Sequence, residues 1–184
     1  SVSKTKLKPF AILILPFAAL FMSGFFIATK SNKVSQNEQI NWQQQYEEKY
    51  KVYKNKPQPS ITDVNTSIDL FPEQNSYKVR GTYILVNKTK SAISEILINT
   101  SKDITLNSIA STELNLVEKD DEFGQYFFKT KQELLPNDSI LVSFDFEYKI
   151  EPLSGHQPFN AIVENGAFMR ISRYFPTIGY NSDY

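Results

Sequence analysis

Between Ser139 and Ile150 the apolar residues Ile140, Val142, Phe144, Phe146, Tyr148 and Ile150 recur at every second position, while Ser143, Asp145, Glu147 and Lys149 fill places between them. Successive side chains of a strand point to opposite faces, so this spacing makes one apolar face and one charged face. A strand of that kind belongs to an antiparallel sheet with one side packed and one side wet. Val64, Thr66, Ile68 and Leu70 repeat the pattern. Further strands are predicted at Tyr77–Asn87, Ile93–Asn99, Ile104–Ile109, Leu114–Glu118 and Gly124–Lys129, separated by Asn, Lys, Asp and Gly clusters suited to turns. Seven short strands imply a mainly β fold, an antiparallel sandwich or a saddle-shaped sheet. Leu135-Pro136-Asn137-Asp138 predicts a turn in which Pro sets φ and Asn takes a left-handed position, and Glu164-Asn165-Gly166 predicts a tight hairpin.

Ahead of this region the composition changes twice. From Pro9 to Thr29 there is no charged residue, whereas Lys4, Lys6 and Lys8 precede the run and Lys30 and Lys33 follow it. About 20 apolar residues rising ~1.5 Å each cover a hydrocarbon core ~30 Å thick, so residues 9–28 are expected to cross a bilayer, with Pro16 kinking the helix. A cleaved signal peptide is the competing reading, although the run is long for an apolar leader core and no small-x-small cleavage site follows cleanly. The flanking lysines favour a cytoplasmic N-terminus. Next, Ser35-Gln36-Asn37-Glu38 fits a capping box, and Trp42, Tyr46, Tyr50 and Tyr53 fall at helical spacing. Glu47 stands four residues before Lys51, the favourable order for an exposed pair. The aromatic stripe either packs on the domain that follows or lies in the membrane interface as a belt. Lys56-Pro57-Gln58-Pro59 ends the helix. The resulting division is an anchor over residues 1–30, a stalk helix over 31–56 and a β domain over 57–184.

Several chemistries lack their residues. The chain of 184 residues has no Cys and one His, His156, so thiol catalysis and cysteine-ligated metals are excluded, and a zinc site would need a shell made mostly of carboxylates. With 20 Lys+Arg against 20 Asp+Glu and no basic stripe, nothing draws a nucleic acid. No HExxH, GxSxG, GxxxxGK[ST] or GxGxxG is present. Ser154-Gly155-His156, flanked by Pro152 and Pro158, reads as a surface loop rather than a nucleophile and base, because triad geometry depends on convergence in space. Asp120-Asp121-Glu122 lacks the spaced oxygen ligands of a calcium loop and reads as a solvated turn. No catalytic, cofactor-binding or metal-binding residue is assigned.

The landmarks also fall in a characteristic order. A helix ending in Gly24-Phe25-Phe26-Ile27 is followed by Tyr46-Glu47-Glu48-Lys49-Tyr50-Lys51 and Gln58-Pro59. Ile68-Asp69-Leu70-Phe71-Pro72-Glu73, Gly81-Thr82-Tyr83, Asn87-Lys88-Thr89 and Leu135-Pro136-Asn137-Asp138-Ser139 come next. Asn165-Gly166-Ala167-Phe168 and Pro176-Thr177-Ile178-Gly179-Tyr180 close the series. From about Gly24 onward this resembles the junction of bacterial fusion proteins in which an ABC transporter-type permease precedes a gluzincin zinc aminopeptidase related to aminopeptidase N. The resemblance implies that residues 9–28 are the last permease span and that the β domain is the N-terminal domain of the peptidase, one wall of its substrate cleft. It places the zinc ligands and the GAMEN-type motif in a following domain, so no cofactor belongs to this chain. Glu164-Asn165-Gly166-Ala167-Phe168-Met169 shares letters with GAMEN in another order and inherits no catalytic role. Asn137 stands where the family favours Gly and Ala167 where Thr is commoner, changes that the fold tolerates.

The expectation is therefore an inactive β domain and anchor in the bacterial inner membrane, the β domain extracytoplasmic, with the bilayer, a peptide substrate and an ABC ATPase subunit as partners. Ser1 and the closing Asn181-Ser182-Asp183-Tyr184 read as cuts in a longer protein. The alternative is a membrane-anchored binding module, or a transporter accessory domain, without peptidase activity.

Overall fold

The computed structural model describes residues 7–30, 36–150, 160–163 and 166–182. A first helix, α1 (Leu7–Lys30), belongs to one compact unit, while α2 (Gln36–Tyr50) and all the strands belong to another. Within α1 the described side chains are those of Ile14 and residues 16–26, and all of them are exposed, including Phe17, Leu20, Phe21, Met22, Phe25 and Phe26. Pro16 lies inside the helix. Among the described residues no helix is long and apolar enough to cross a membrane, so the expected span at 9–28 is present as a helix but unsupported as a crossing.

The strands of the second unit are β1 (Ser60–Phe71), β2 (Ser76–Val86), β3 (Ile93–Asn99), β4 (Thr105–Ala110), β5 (Leu114–Asp120), β6 (Gln125–Leu134), β7 (Ser139–Lys149), β8 (Asn160–Val163), β9 (Gly166–Met169) and β10 (Thr177–Ile178). They form two four-stranded antiparallel sheets, ordered β1-β2-β7-β4 and β10-β3-β6-β5, and a separate β8-β9 hairpin. The mainly β expectation holds, and its seven predicted strands correspond to β1–β7. Burial along β7 alternates as its sequence demands, with Ile140, Val142, Phe144, Phe146 and Tyr148 buried. Together with Tyr77, Val79, Tyr83 and Leu85 of β2 they meet Ile93, Ile96, Ile98 and Phe128 of the other sheet in one core. Each such side chain contributes roughly 1.5–3 kcal/mol by leaving water.

Three local features hold the register. Gly81 sits opposite Phe144, whose ring carbon lies 2.3 Å from where a Cβ would be, so the ring occupies space that only glycine leaves. Leu135-Pro136-Asn137-Asp138 closes as expected: Asp138 N–H donates to the Leu135 carbonyl at 3.0 Å, and Asn137 has φ 72°. Pro at the second position and positive φ at the third are the signature of a type II turn. Asn87, fully buried, donates through Nδ2 to the carbonyls of Ser91 and Leu134 at 2.8 Å each, and its Oδ1 accepts from Thr89 N–H and Oγ1. A buried amide is tolerated because its partners are supplied. In the β8-β9 hairpin Val163 pairs with Gly166, so Gly166 belongs to the returning strand rather than to the turn.

Ser35, Ser154-Gly155-His156 and Glu164-Asn165 lie outside the described residues. Residues 51–53 tighten into a single 3-10 turn, so the α-helix ends at Tyr50, ahead of the Lys56-Pro57 stop.

Candidate functional site: an aromatic seam and an open edge

The stripe on α2 packs on the domain. Tyr46 and Tyr50 are each 1% exposed and close with Phe123 into a second apolar cluster, flanked by Trp42, Tyr53, Phe127 and Tyr180. Trp42 stacks on Tyr46 at 5.6 Å and meets Phe123 at 5.2 Å, while Tyr50 and Tyr53 lie 5.9 and 5.2 Å from Phe127. Such pairs add roughly 0.5–1.5 kcal/mol each beyond burial. A membrane belt is thereby ruled out for Tyr46 and Tyr50, since buried rings have no face to offer a headgroup. The opposite face of α2 is solvated as expected, with Lys51 paired to Glu47 at 3.1 Å.

Asp120, three residues before Phe123, clamps the same helix through polar contacts. Its carboxylate accepts from Lys49 Nζ and Tyr50 Oη, and its Oδ1 also accepts from the backbone N–H of Glu122 and Phe123 at 3.1 and 3.3 Å. Asp120-Asp121-Glu122 was expected to be a solvated turn. The turn exists, but the Asp120 side chain is 11% exposed and structural. Burial pushes its carboxyl upward, and the hydrogen bonds from Lys49 and Tyr50 outweigh that and hold it below the ordinary value. Tyr50 is pushed far above the usual phenol range by burial first and by its bond to Asp120 second. Among the described residues no group of three or more Asp, Glu or His could hold a metal ion.

The Pro176–Tyr180 landmark, which sequence reasoning left without a structural role, braces the seam. Tyr83 Oη donates to the Pro176 carbonyl at 3.0 Å, β10 pairs with β3, and Gly179 N–H donates to the Leu97 carbonyl at 2.8 Å. Tyr180 then stacks on Tyr46 at 5.6 Å, and Tyr46 Oη accepts from Asn181 N–H at 3.2 Å. Gln58 finishes the same edge: its Nε2 donates to the Glu95 carbonyl at 3.0 Å and its Oε1 accepts from Leu97 N–H at 2.9 Å. The side-chain amide thus takes the place of a neighbouring strand along β3. Beside it, Tyr53, Gln58, Glu95, Val117, Phe127 and Lys129 line a shallow cleft of about 200 Å³.

β1 is different. Val64, Thr66, Ile68 and Leu70 lie opposite Tyr83, Gly81, Val79 and Tyr77, on the face that is buried in β2. Alternation predicted the face correctly, yet Val64, Ile68 and Leu70 remain 49%, 39% and 45% exposed. The strand lies at the sheet margin, beyond full cover. No family model and no curated protein matches the chain.

Proposed function

We infer that this chain is a non-catalytic β domain and membrane anchor of a zinc aminopeptidase-like protein of the bacterial inner membrane. In this reading the β domain is extracytoplasmic and forms part of the wall of the substrate cleft. The observation that carries the supporting role is the seam. The lead-in helix is locked to the sheets by Tyr46, Tyr50, Phe123 and Asp120, so α2 and the β domain form one packed body. The ordered landmarks from Gly24 to Tyr180 support the family, and the charge-free residues 9–29 support the anchor. The finer saddle-like form of the peptidase N-terminal domain belongs to this proposal, as do the ABC ATPase and peptide partners.

In this reading zinc would be held by a following catalytic domain and would supply Lewis-acid activation of a peptide carbonyl there, while none of its ligands would come from this chain. The chain contributes position rather than chemistry. The test compares zinc content and aminoacyl-substrate cleavage in this chain and in the protein extended to its natural ends. Zinc and cleavage in the long form alone are expected; neither in the long form overturns the peptidase reading.

A second reading, an anchored extracytoplasmic binding module or transporter accessory domain without peptidase activity, is favoured by one specific observation. The inward apolar row of β1 is left half-exposed at a sheet margin.

A further inference from the structure

Sheet margins invite a further strand unless something blocks them, and short length, bulges, charged side chains and capping groups are the usual blocks. Three of the four margins here are interrupted within a short strand or closed by capping groups. β10 is two residues long, and the β3 edge beside it is closed by Gln58 and by Gly179 N–H. β5 is bulged between Leu116 and Glu118 and carries Glu118, Lys119 and Asp120. β4 has six residues and a bulge between Leu106 and Ser108. β1 has twelve residues and neither Lys nor Pro within it; its one bulge lies near its start, between Ile61 and Asp63, and from Asp63 to Phe71 its pairing is unbroken. Among the described residues it pairs with β2 alone.

We propose that β1 accepts an extended peptide as a fifth, antiparallel strand, one that places apolar side chains over Val64, Thr66, Ile68 and Leu70 and a basic side chain opposite Asp63. Backbone pairing supplies affinity in this mode, and alternate side chains supply specificity. Charge sets the sign of the partner. From Pro57 to Tyr77 there is no Lys or Arg, whereas Asp63, Asp69 and Glu73 are present. Asp69 is answered by Arg80 at 2.7 Å, while no described cation pairs with Asp63. A second copy of the chain fits less well. The register that lays Val64 over Ile68 about a two-fold axis at Thr66 also sets Asp63 opposite Asp69 of the other copy, and like charges directly opposed are destabilising.

The inference rests on the binding-module reading and supplies its ligand chemistry. The test titrates the full chain in detergent with labelled acetyl-Val-Lys-Val-Thr-Val-Thr-Val-Lys-amide, in which the final Lys opposes Asp63 when the first Val opposes Leu70. Saturable binding is expected, weakened about tenfold when both Lys are Glu, with the difference shrinking at high salt. Asp63→Asn should bring the two peptides together, and Val64→Lys should abolish binding; both positions are exposed, and an unchanged melting temperature confirms that each variant folds. Equal binding of the Lys and Glu peptides, or no saturable binding, overturns the proposal. Binding that Val64→Lys leaves intact also overturns it while preserving a binding module at another surface.

Discussion

At Asp120 a carboxylate with little water access accepts from Lys49, Tyr50 and two backbone N–H groups, and the charge on that carboxylate is what makes the clamp hold. Its pKa in the folded state lies below the ordinary 3.8. A depressed carboxylate contributes stability that is complete above the unfolded value and is lost as pH falls through the folded one. Lys49 runs the other way. Raised above 10.5 chiefly by its hydrogen bond to Asp120, it contributes below that pH and loses its contribution as pH climbs through the raised value. The clamp is therefore complete from about pH 5 to pH 10 and weakens on either side. Asp120→Asn removes the charge and leaves one acceptor oxygen, so either Lys49 and Tyr50 or the backbone N–H groups of Glu122 and Phe123 lose their acceptor, and the variant should cost roughly 1.5–3 kcal/mol at neutral pH. Trp42, the sole tryptophan, sits in the seam and reports its opening by fluorescence. The variant should lose most of the wild-type acid dependence of that signal; an acid limb unchanged by the substitution would mean that other carboxylates govern the seam.

Among the elements, α2 and β1 mark where pattern reading succeeds and where it stops. Period-two spacing makes β7 legible because its residues alternate between core and water, whereas β3, with Ile96–Asn99 buried in succession, and β5, exposed but for Leu114 and the half-buried Asp120, show no such alternation and are bounded in the sequence by turn residues instead. β10, two residues long, has no room for a period, and the brace it starts became visible only once Tyr180 reached Tyr46. Helical spacing placed Trp42, Tyr46, Tyr50 and Tyr53 on one stripe but left open what the stripe would meet, because periodicity encodes a face and not its partner. The same limit explains β1, whose apolar face was correctly read and whose exposure depends on how far the opposite sheet extends. If the seam holds α2 in place, Tyr46→Ala should cost about 3–5 kcal/mol, as expected for emptying a buried aromatic site. Ile40→Ala, on the exposed face, should stay within about 0.5 kcal/mol. The measurable sign is a red shift of Trp42 emission with new proteolytic cleavage near residues 54–57 in Tyr46→Ala alone. Equal effects of both substitutions would show that α2 is not held by its stripe.

For the molecule as a whole, α1 and the β domain obey opposite rules. The β domain hides its apolar side chains between sheets, whereas α1 exposes Phe17, Leu20, Phe21, Met22, Phe25 and Phe26 around its described length. A helix apolar on all sides is stable only when something other than water surrounds it, either protein or lipid. Among the described residues no helix is long and apolar enough to cross a membrane, while the charge-free run from Pro9 to Thr29 and its flanking lysines have the composition of a lipid-facing segment. This predicts that the full chain floats with phospholipid vesicles and resists alkaline extraction. Leu20→Lys, near the middle of that run, should raise the cost of insertion by about 3–4 kcal/mol and shift the chain toward the aqueous fraction. The β domain should be unaffected, with Trp42 emission and melting temperature unchanged, because α1 lies in a separate unit. Mass spectrometry of protein made in a bacterial host separates the remaining alternative. An intact mass together with flotation supports a retained anchor, whereas a product shortened by its first helix would identify that segment as a removed leader and detach the β domain from the membrane altogether.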